Sequence, residues 1–288
     1  MIVRPLVIPA SNSQQVYTFV HLTDPHHRSP SFDQRLFQEC RRRVLKDKNA
    51  YLILGGDWTD DDRPSTRARR RAMCDGRPEV LKNDDANEMS WLDSHIVPMY
   101  RDLAAGPHPK LICALDGDHY RILGGQTTAQ YICRRLKVPQ VYMGERVAYV
   151  AATFDAGNKH VLRYNILIRH GVGGTSSNGA AVNSMERQGF GWDFDLHCAG
   201  HSHRAHAHVE KWCKGPNKTG TDVKWGFRAQ IRGSSLLQGY EVGKTHYPEK
   251  AEYRPLTTGW AECRVTVGKT LACGELAVKM VEASVVAG

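Results

Sequence analysis

The first half of the chain alternates short apolar runs with longer segments whose apolar residues recur at helical spacing. Three apolar runs predict buried strands, at 16–22, 51–54 and 110–115. Three segments with one apolar face predict helices, at 32–46, from about 84 to 98, and at 127–136. Pro98 has no backbone N–H to donate, so we expect it to kink or end the second of these helices.

After residue 138 the pattern changes, and strand follows strand. Val147–Phe154 and His160–Arg169 predict paired strands across a turn at 155–158. A short helix is expected near Ala181–Gln188, and further strands near 196–199, 207–212, 227–231, 260–267 and 276–280. Gly233-Ser234-Ser235 reads as a turn with no evident chemistry. Together the elements predict a single mixed α/β domain over 1–288, built in layers, with its motifs at about 16–212 and the C-terminal strands completing the sheets.

The composition is that of an ordinary globular protein, with 41% hydrophobic and 24% charged residues. No window approaches the ~20 uninterrupted apolar residues that a membrane helix needs. The N-terminus lacks the long apolar region of a signal peptide, so we expect a cytoplasmic protein without a membrane partner. The eight cysteines form no CxxC pair, which favours reduced thiols over a disulfide or zinc framework.

The formal net charge is +9, from 39 basic and 30 acidic residues. The excess is concentrated in clusters at 41–43, 63–71 and 134–135. A positive surface of this kind attracts polyanions, nucleic acid first among them. Basic runs are as often the solvated faces of helices, and charge alone does not separate the two interpretations.

Five predicted strand ends carry side chains of the kind that bind metal ions. They are Asp24-x-His26, Gly56-Asp57-x-x-Asp60, Gly117-Asp118-His119, His170-Gly171 and Gly200-His201-x-His203. Sites in α/β sheets collect at the carboxyl ends of strands, so these stretches can meet in one crevice. A mixed carboxylate and imidazole set suits two adjacent divalent transition-metal ions better than Ca²⁺ or a structural zinc. Any one stretch has an ordinary explanation, but that explanation is poor for all five in this order.

The order and spacing of these motifs resemble the calcineurin-like metallophosphoesterase superfamily, whose pattern is DxH, GDxxD, GNH(D/E), a lone His and GHxH. The resemblance covers about residues 17–205 and implies a layered α/β/β/α sandwich of two mixed sheets flanked by helices. It also implies two sets of metal ligands: Asp24, His26 and His203 for one ion, Asp118, His170 and His201 for the other, and Asp57 as the bridge. His119, the catalytic residue of the set, would lie near the leaving group or the phosphate, where it could protonate the leaving oxygen or hold the phosphoryl oxygens. The implied reaction is phosphoester hydrolysis by a hydroxide that bridges two divalent ions.

Two positions depart from the family pattern. Asp118 stands where the family usually has asparagine, and its extra negative charge favours a harder ion such as Mn²⁺ or Mg²⁺, with Fe and Zn²⁺ as the other options. Tyr120 stands where the family usually has an acidic residue that orients the histidine, so His119 needs an orienting partner from elsewhere. Neither change removes a ligand, and we expect an active enzyme.

The substrate is less constrained than the chemistry. Trp58 and the arginines that follow it, Arg63 and Arg67 among them, would suit a phosphate backbone that passes the site. Trp58 could stack on a base, although a tryptophan beside a site is as often a packing residue. The leading hypothesis is a metal-dependent phosphodiesterase acting on nucleic acid, similar to the nuclease branch of the superfamily. The alternative is a phosphomonoesterase acting on phosphoprotein or nucleotide, and a third hypothesis is a binding or scaffold protein without turnover.

Overall fold

The computed structural model describes most of the chain. The described residues are 2–10, 14–59, 85–144, 146–157, 161–171, 178–216, 220, 223–238, 258–269 and 276–287. Arg63 and Arg67, predicted to contact substrate, and Asp60 of the second motif lie outside these residues.

Two six-stranded mixed sheets form the centre of the molecule. The strands of sheet I are Gln15–Leu22 (β2), Ala50–Leu54 (β3), Leu111–Leu115 (β4), Tyr142–Gly144 (β7), Gly259–Lys269 (β13) and Leu276–Ala287 (β14). Those of sheet II are Ile2–Pro9 (β1), Val147–Asp155 (β8), Val161–Arg169 (β9), Leu196–Ala199 (β10), His206–Pro216 (β11) and Val223–Arg232 (β12). Sheet I has the order β14-β13-β2-β3-β4-β7, and sheet II has the order β1-β8-β9-β10-β12-β11. A small hairpin joins Ile122–Leu123 (β5) to Gln126–Thr127 (β6).

The strands that precede the motifs run parallel in both sheets. In sheet I, β2 pairs with β3 and β3 with β4, all parallel. In sheet II, β10 pairs in parallel with β9 on one side and β12 on the other. Strand β13 pairs antiparallel with β2, and β14 pairs antiparallel with β13, so the last two strands of the described chain extend sheet I. Parallel pairing brings the carboxyl ends of these strands to one edge of each sheet.

The helices begin and end at Gln34–Lys46 (α1), Asp85–Trp91 (α2), Val97–Ala104 (α3), Thr128–Arg135 (α4) and Asn178–Gly189 (α5). Asp33 caps α1, because its side chain accepts the backbone N–H of Leu36 at 2.9 Å. Pro98 does not end the predicted second helix. A π-helical turn, Leu92–Ile96, joins α2 to α3, and Pro98 lies in the first turn of α3, where its missing N–H costs little.

Two apolar layers hold these elements together. Side chains such as Phe19, Ile53 and Ile166 fill the space between the two sheets. Others, including Leu54 and Phe37, pack between sheet I and the helices. The predicted layered sandwich of two mixed sheets flanked by helices is confirmed. Among the described residues, no helix has the length and apolar character to cross a membrane.

Strand β1 was not predicted, because Pro5 and Pro9 interrupt its apolar pattern. It occupies the edge of sheet II and pairs in parallel with β8. Proline is tolerated on an edge strand, since the N–H that it lacks can face away from the neighbouring strand.

Candidate metal centre

Backbone hydrogen bonds join the loops that leave the strand ends of sheet I. The N–H of Asp24 donates to the carbonyl of Gly56 at 3.1 Å, and that of His26 donates to the carbonyl of Asp57 at 3.0 Å. The N–H of Asp57 in turn donates to the carbonyl of Asp116 at 2.7 Å. The side chain of Asp116 accepts the N–H of Ala129 at 2.9 Å, which fastens the third loop to the start of α4. Hydrogen bonds therefore join the three loops after β2, β3 and β4 into one layer at this edge of sheet I, which we call the shelf.

The loops after β9 and β10 of sheet II meet this shelf from the other side. The N–H of Gly200 donates to the carbonyl of His170 at 3.0 Å. The N–H of His201 donates to Oδ2 of Asp24 at 3.0 Å, a direct bond between the two sheets. Two close groups of ligand-type side chains result, Asp24 with His26 and His203, and Asp57 with His170 and His201. In each group one potential ligand atom per residue lies within 4.8 Å of the others.

The backbone at these positions is strained. Asp24, His26, Asp57, His201 and His203 have φ between 47° and 68°, and the only other such non-glycine residue in the described part of the chain is Lys137. The left-handed region is costly for residues with a Cβ and persists where the surrounding structure imposes it. Such strain concentrates at functional sites, and all five of these residues belong to the motifs predicted to bind metal ions.

Glycines allow the loops to approach so closely. Gly117 has φ +89°, and a Cβ there would lie 2.2 Å from Oδ1 of Asp57 and 2.9 Å from Cε1 of His170. No side chain fits in this space, which explains the glycine before Asp118.

The two oxygens of Asp57 have different tasks. Its Oδ1 accepts the backbone N–H groups of Asp118 at 2.7 Å and His119 at 2.8 Å. Its Oδ2 faces Nε2 of His170 at 3.2 Å and Nε2 of His26 at 3.9 Å. Burial alone would raise the pKa of Asp57, but the charge of His170 and their hydrogen bond lower it to about 2. Asp57 is therefore a buried anion with one oxygen left for the space between the two groups.

His170 is oriented by a carbonyl. Its Nδ1 lies 2.8 Å from the carbonyl oxygen of Gly55, which can only accept, so Nδ1 carries a proton and Nε2 is aimed at Asp57. A histidine that binds a metal ion through one nitrogen commonly donates its other N–H in this way. Burial acts to lower the pKa of His170, but the charge and hydrogen bond of Asp57 outweigh it and raise the pKa to about 9.

Asp24 is fully buried and held from several directions. Thr23 donates its hydroxyl to Oδ2, and Nε2 of His203 lies 3.5 Å from Oδ1. Burial would raise the pKa of Asp24, but the hydrogen bond and charge of His203 hold it well below its usual range. The backbone carbonyl of Asp24 accepts the hydroxyl of Ser235 at 3.1 Å. The Gly233-Ser234-Ser235 turn, predicted to have no chemistry, thus supports the first motif from below.

Asp118 lies at the open side of the second group. Its Oδ2 is 3.0 Å from Nδ1 of His201 and 3.7 Å from Nε2 of His170. Partial burial acts to raise the pKa of Asp118, but the hydrogen bond to His201 and the charge of His170 lower it. Arg146, which the sequence analysis missed, places a guanidinium nitrogen 2.6 Å from Oδ1 of Asp118. No motif marks Arg146, which immediately precedes an ordinary-looking strand.

The remaining predicted residues fall in different surroundings. His119 is exposed at the mouth of the site, with its ring centroid 5.2 Å from that of His26. Trp58 is only 1% exposed, and its indole N–H donates to the carbonyl of Leu115 at 2.8 Å. Its ring is therefore inaccessible to a base, and the packing interpretation of Trp58 is the correct one.

Two further arginines, Arg28 and Arg121, follow the first and third motifs by two residues and were also missed. Nη1 of Arg28 lies 2.6 Å and Nη1 of Arg121 3.2 Å from the same carboxylate oxygen of Glu88. Glu88 is buried, whereas Arg28 follows the first motif at a distance of two residues and keeps 36% of its side chain exposed. The cluster carries one net positive charge next to the metal motifs.

The types of ligand atom, and the distances between ligand atoms within each group, fit divalent ions. Carboxylate and imidazole ligands are those of Mn²⁺, Fe²⁺ and Zn²⁺. Two atoms bound to one ion at about 2.0–2.2 Å lie roughly 3–3.6 Å apart. The distances from Asp57 to His170, 3.2 Å, and from Asp24 to His203, 3.5 Å, already have this value.

No family model matches this chain. No curated protein matches it either. Several solved structures do, among them Vacuolar Protein Sorting 29 from Cryptosporidium parvum, with 12% identity and a TM-score of 0.36 over 95% of this chain and 99% of that one. Calcineurin-like phosphoesterase YfkN from Bacillus subtilis has 10% identity and a TM-score of 0.35 over 95% and 91% of the two chains. Vps29 complexed with Zn²⁺ from Entamoeba histolytica has 10% identity and a TM-score of 0.34 over 93% and 98%. At these scores the likeness carries no argument about activity, and the fold rests on the sheets and helices described above.

Proposed function

We propose that this protein is a dinuclear-metal-dependent phosphoesterase of the calcineurin-like type, which hydrolyses phosphodiester bonds in nucleic acid. The observation that carries the proposal is the convergence of Asp24, His26 and His203 with Asp57, His170 and His201. These six residues belong to four of the five motifs, and the strands of two sheets bring them to one place.

In this proposal Asp24, His26 and His203 would hold one ion, and Asp118, His170 and His201 would hold the other. Asp57 would serve both, because its Oδ2 faces both His26 and His170. The carboxylate content favours Mn²⁺ or Mg²⁺ over softer ions.

Two ions bound here would activate a water molecule and neutralise the phosphoryl oxygens during in-line displacement. The chain supplies the other parts. The buried carboxylates of Asp24 and Asp57 stay ionised, since their pKa values are low. His119 lies at the mouth, where it would donate a proton to the leaving oxygen.

The preference for a nucleic acid diester rests on charge. The chain carries a formal net charge of +9. Arg28 and Arg121 follow the first and third motifs by two residues and would attract the phosphates that neighbour the scissile one. Arg63 and Arg67 extend this proposal from the sequence alone.

The test compares Mn²⁺-dependent hydrolysis of bis-p-nitrophenyl phosphate, p-nitrophenyl phosphate and a fluorescent single-stranded oligonucleotide. The variants are Asp57→Asn and, as a matched control, Asp102→Asn, which changes an exposed aspartate paired with Arg41. We expect diester and oligonucleotide turnover that falls about a hundredfold or more in Asp57→Asn and is unchanged in Asp102→Asn. Diester turnover that survives in Asp57→Asn would contradict the proposal.

A phosphomonoesterase is the second candidate. The partial exposure of Asp118 and His201, at 29% and 26% of their side chains, leaves the second group open to a compact phosphate. Turnover of p-nitrophenyl phosphate alone would favour this activity. Bound Mn²⁺ without turnover of any substrate would favour a binding or scaffold role.

A further inference from the structure

Both terminal nitrogens of the Arg146 guanidinium bond to the carboxylate of Asp118. Nη1 of Arg146 lies 2.6 Å from Oδ1, and Nη2 donates to Oδ2 at 3.1 Å. Two parallel bonds of this kind fix the plane of the carboxylate as well as its position. An isolated exposed ion pair would have no such effect.

Arg146 is itself tied to the loop that carries His170. Its Nη2 donates to the carbonyl of Gly171 at 2.8 Å, and its own backbone carbonyl accepts the N–H of His170 at 2.9 Å. Arg146 thus bonds to the backbone of both His170 and Gly171, which restricts the movement of its side chain. It connects the third motif in sheet I to the fourth in sheet II.

The ion pair with Arg146 changes the net charge that Asp118 presents to the second group of ligand-type side chains. Asp118 reaches His201 at 3.0 Å through the same Oδ2 that Arg146 binds. An aspartate paired with an arginine has no net charge, whereas its oxygens still have lone pairs to donate. The pair then resembles a neutral amide oxygen in charge, but not in shape.

We propose that Arg146 is a positioning residue that neutralises and orients Asp118, so that the two side chains together act as a neutral oxygen ligand for the second ion. The inference deepens the proposed function and rests on it only for the presence of metal ions. The guanidinium of Arg146 would make an aspartate tolerable at this position because it offsets the extra negative charge.

The test is a double-mutant cycle of the wild type, Arg146→Gln, Asp118→Asn and the double variant. Mn²⁺ binding is measured by isothermal titration calorimetry at constant pH, and the melting temperature is measured in EDTA. We expect Asp118→Asn to lower the affinity of the second Mn²⁺ site to be filled about tenfold, because Arg146 becomes an uncompensated cation beside that site. Adding Arg146→Gln should restore the affinity to within about threefold of the wild type, whereas Arg146→Gln alone should tighten it.

Two further variants make the result specific. Arg146→Lys keeps the charge but loses the paired bonds, so it should leave Mn²⁺ affinity closer to the wild type than Arg146→Gln does. Arg264→Gln breaks an exposed ion pair between Arg264 on β13 and Glu282 on β14, and it should not change Mn²⁺ affinity. If Asp118→Asn fails to fold, the comparison of Gln with Lys at 146 still decides.

Failure of Arg146→Gln to restore Mn²⁺ affinity in the Asp118→Asn background, or to tighten Mn²⁺ binding in the wild-type background, would overturn the inference. So would failure of the wild type to bind Mn²⁺. Restored affinity in the double variant of a protein that turns over no phosphoester would leave the inference standing and overturn the proposed function alone, because calorimetry needs no turnover.

Discussion

The backbone N–H of His119 donates to Oδ1 of Asp57 at 2.8 Å, although 62 positions separate the two residues in the sequence. The second motif thereby shapes the loop of the third. Since the other oxygen of Asp57 faces His26 and His170, one carboxylate serves the backbone and the candidate metal centre at once.

Substitutions at Asp57 should separate these two roles. Asp57→Asn keeps an oxygen for the N–H groups of Asp118 and His119, so we expect a folded protein that has lost Mn²⁺ binding. Asp57→Ala leaves both N–H groups without this acceptor and should cost a further 1–3 kcal/mol or so, roughly 2–4 °C per kcal/mol in melting temperature. The check is thermal unfolding in EDTA together with calorimetric Mn²⁺ titration. Equal melting temperatures for the two variants would mean that Oδ1 has no structural part.

Two glycines offer a matched test of close packing in the site. Gly117 and Gly106 have φ of +89° and +86°, but a Cβ would collide with Asp57 only at Gly117, and nothing lies within 4 Å at Gly106. Both alanine variants should pay about 1–2 kcal/mol for the left-handed backbone. Gly117→Ala should in addition lose Mn²⁺ binding, whereas Gly106→Ala should retain it. Calorimetry on both proteins checks this, and intact metal binding in Gly117→Ala would refute the described geometry.

Trp58 should matter for stability and not for substrate. Trp58→Phe removes the hydrogen bond to the carbonyl of Leu115 and part of a buried ring, so we expect destabilisation of about 1–3 kcal/mol. The Michaelis constant for an oligonucleotide substrate should stay unchanged, because the ring is buried. A rise in that constant with no loss of stability would instead support stacking on a base.

Buried His197 predicts acid sensitivity. Burial, with Arg169 and Arg232 nearby, lowers the pKa of His197 from 6.5 to about 3. Between these two values the unfolded chain takes up a proton that the folded chain does not, so stability present above about pH 6.5 is lost as the pH falls towards 3. The ring of His197 faces Phe194, and His21 and Arg232 also act on it.

The measurement is urea unfolding in EDTA near pH 7.5 and near pH 4.5, for the wild type and His197→Gln. His21, whose pKa burial lowers to about 3, is present in both proteins, so only the difference between the two is informative. The wild type should lose on the order of 1–2 kcal/mol more than the variant over this interval. An identical loss would show that His197 takes no part.

The elements that the sequence predicted best are those whose pattern is local. The strands before the motifs are short apolar runs, and their ends were placed to within a residue or two, as at Leu22 and Leu54. β1 was not predicted because proline disfavours a strand unless that strand is known to lie at the edge of a sheet. The π-helical turn before Pro98 depends on packing that no periodicity shows.

The residues of the site divide in the same way. Asp24, Asp57 and His201 were found because each lies in a short motif after a strand. Arg146 and Ser235 were missed because their partners, Asp118 and Asp24, are 28 and 211 positions away. Such contacts exist only once the two sheets have packed. Trp58 was predicted to contact substrate because it lies in a motif, although its side chain points into the core.

Each candidate metal group takes members from both sheets. Asp24 and Asp57 leave strands of sheet I, whereas His170, His201 and His203 leave strands of sheet II. An ion held by either group would therefore act as a cross-link across the seam of the sandwich, in addition to the apolar layer beneath it. Chelation would release this edge while the core stayed packed, so hydrogen exchange should rise first at the strand ends that line the seam.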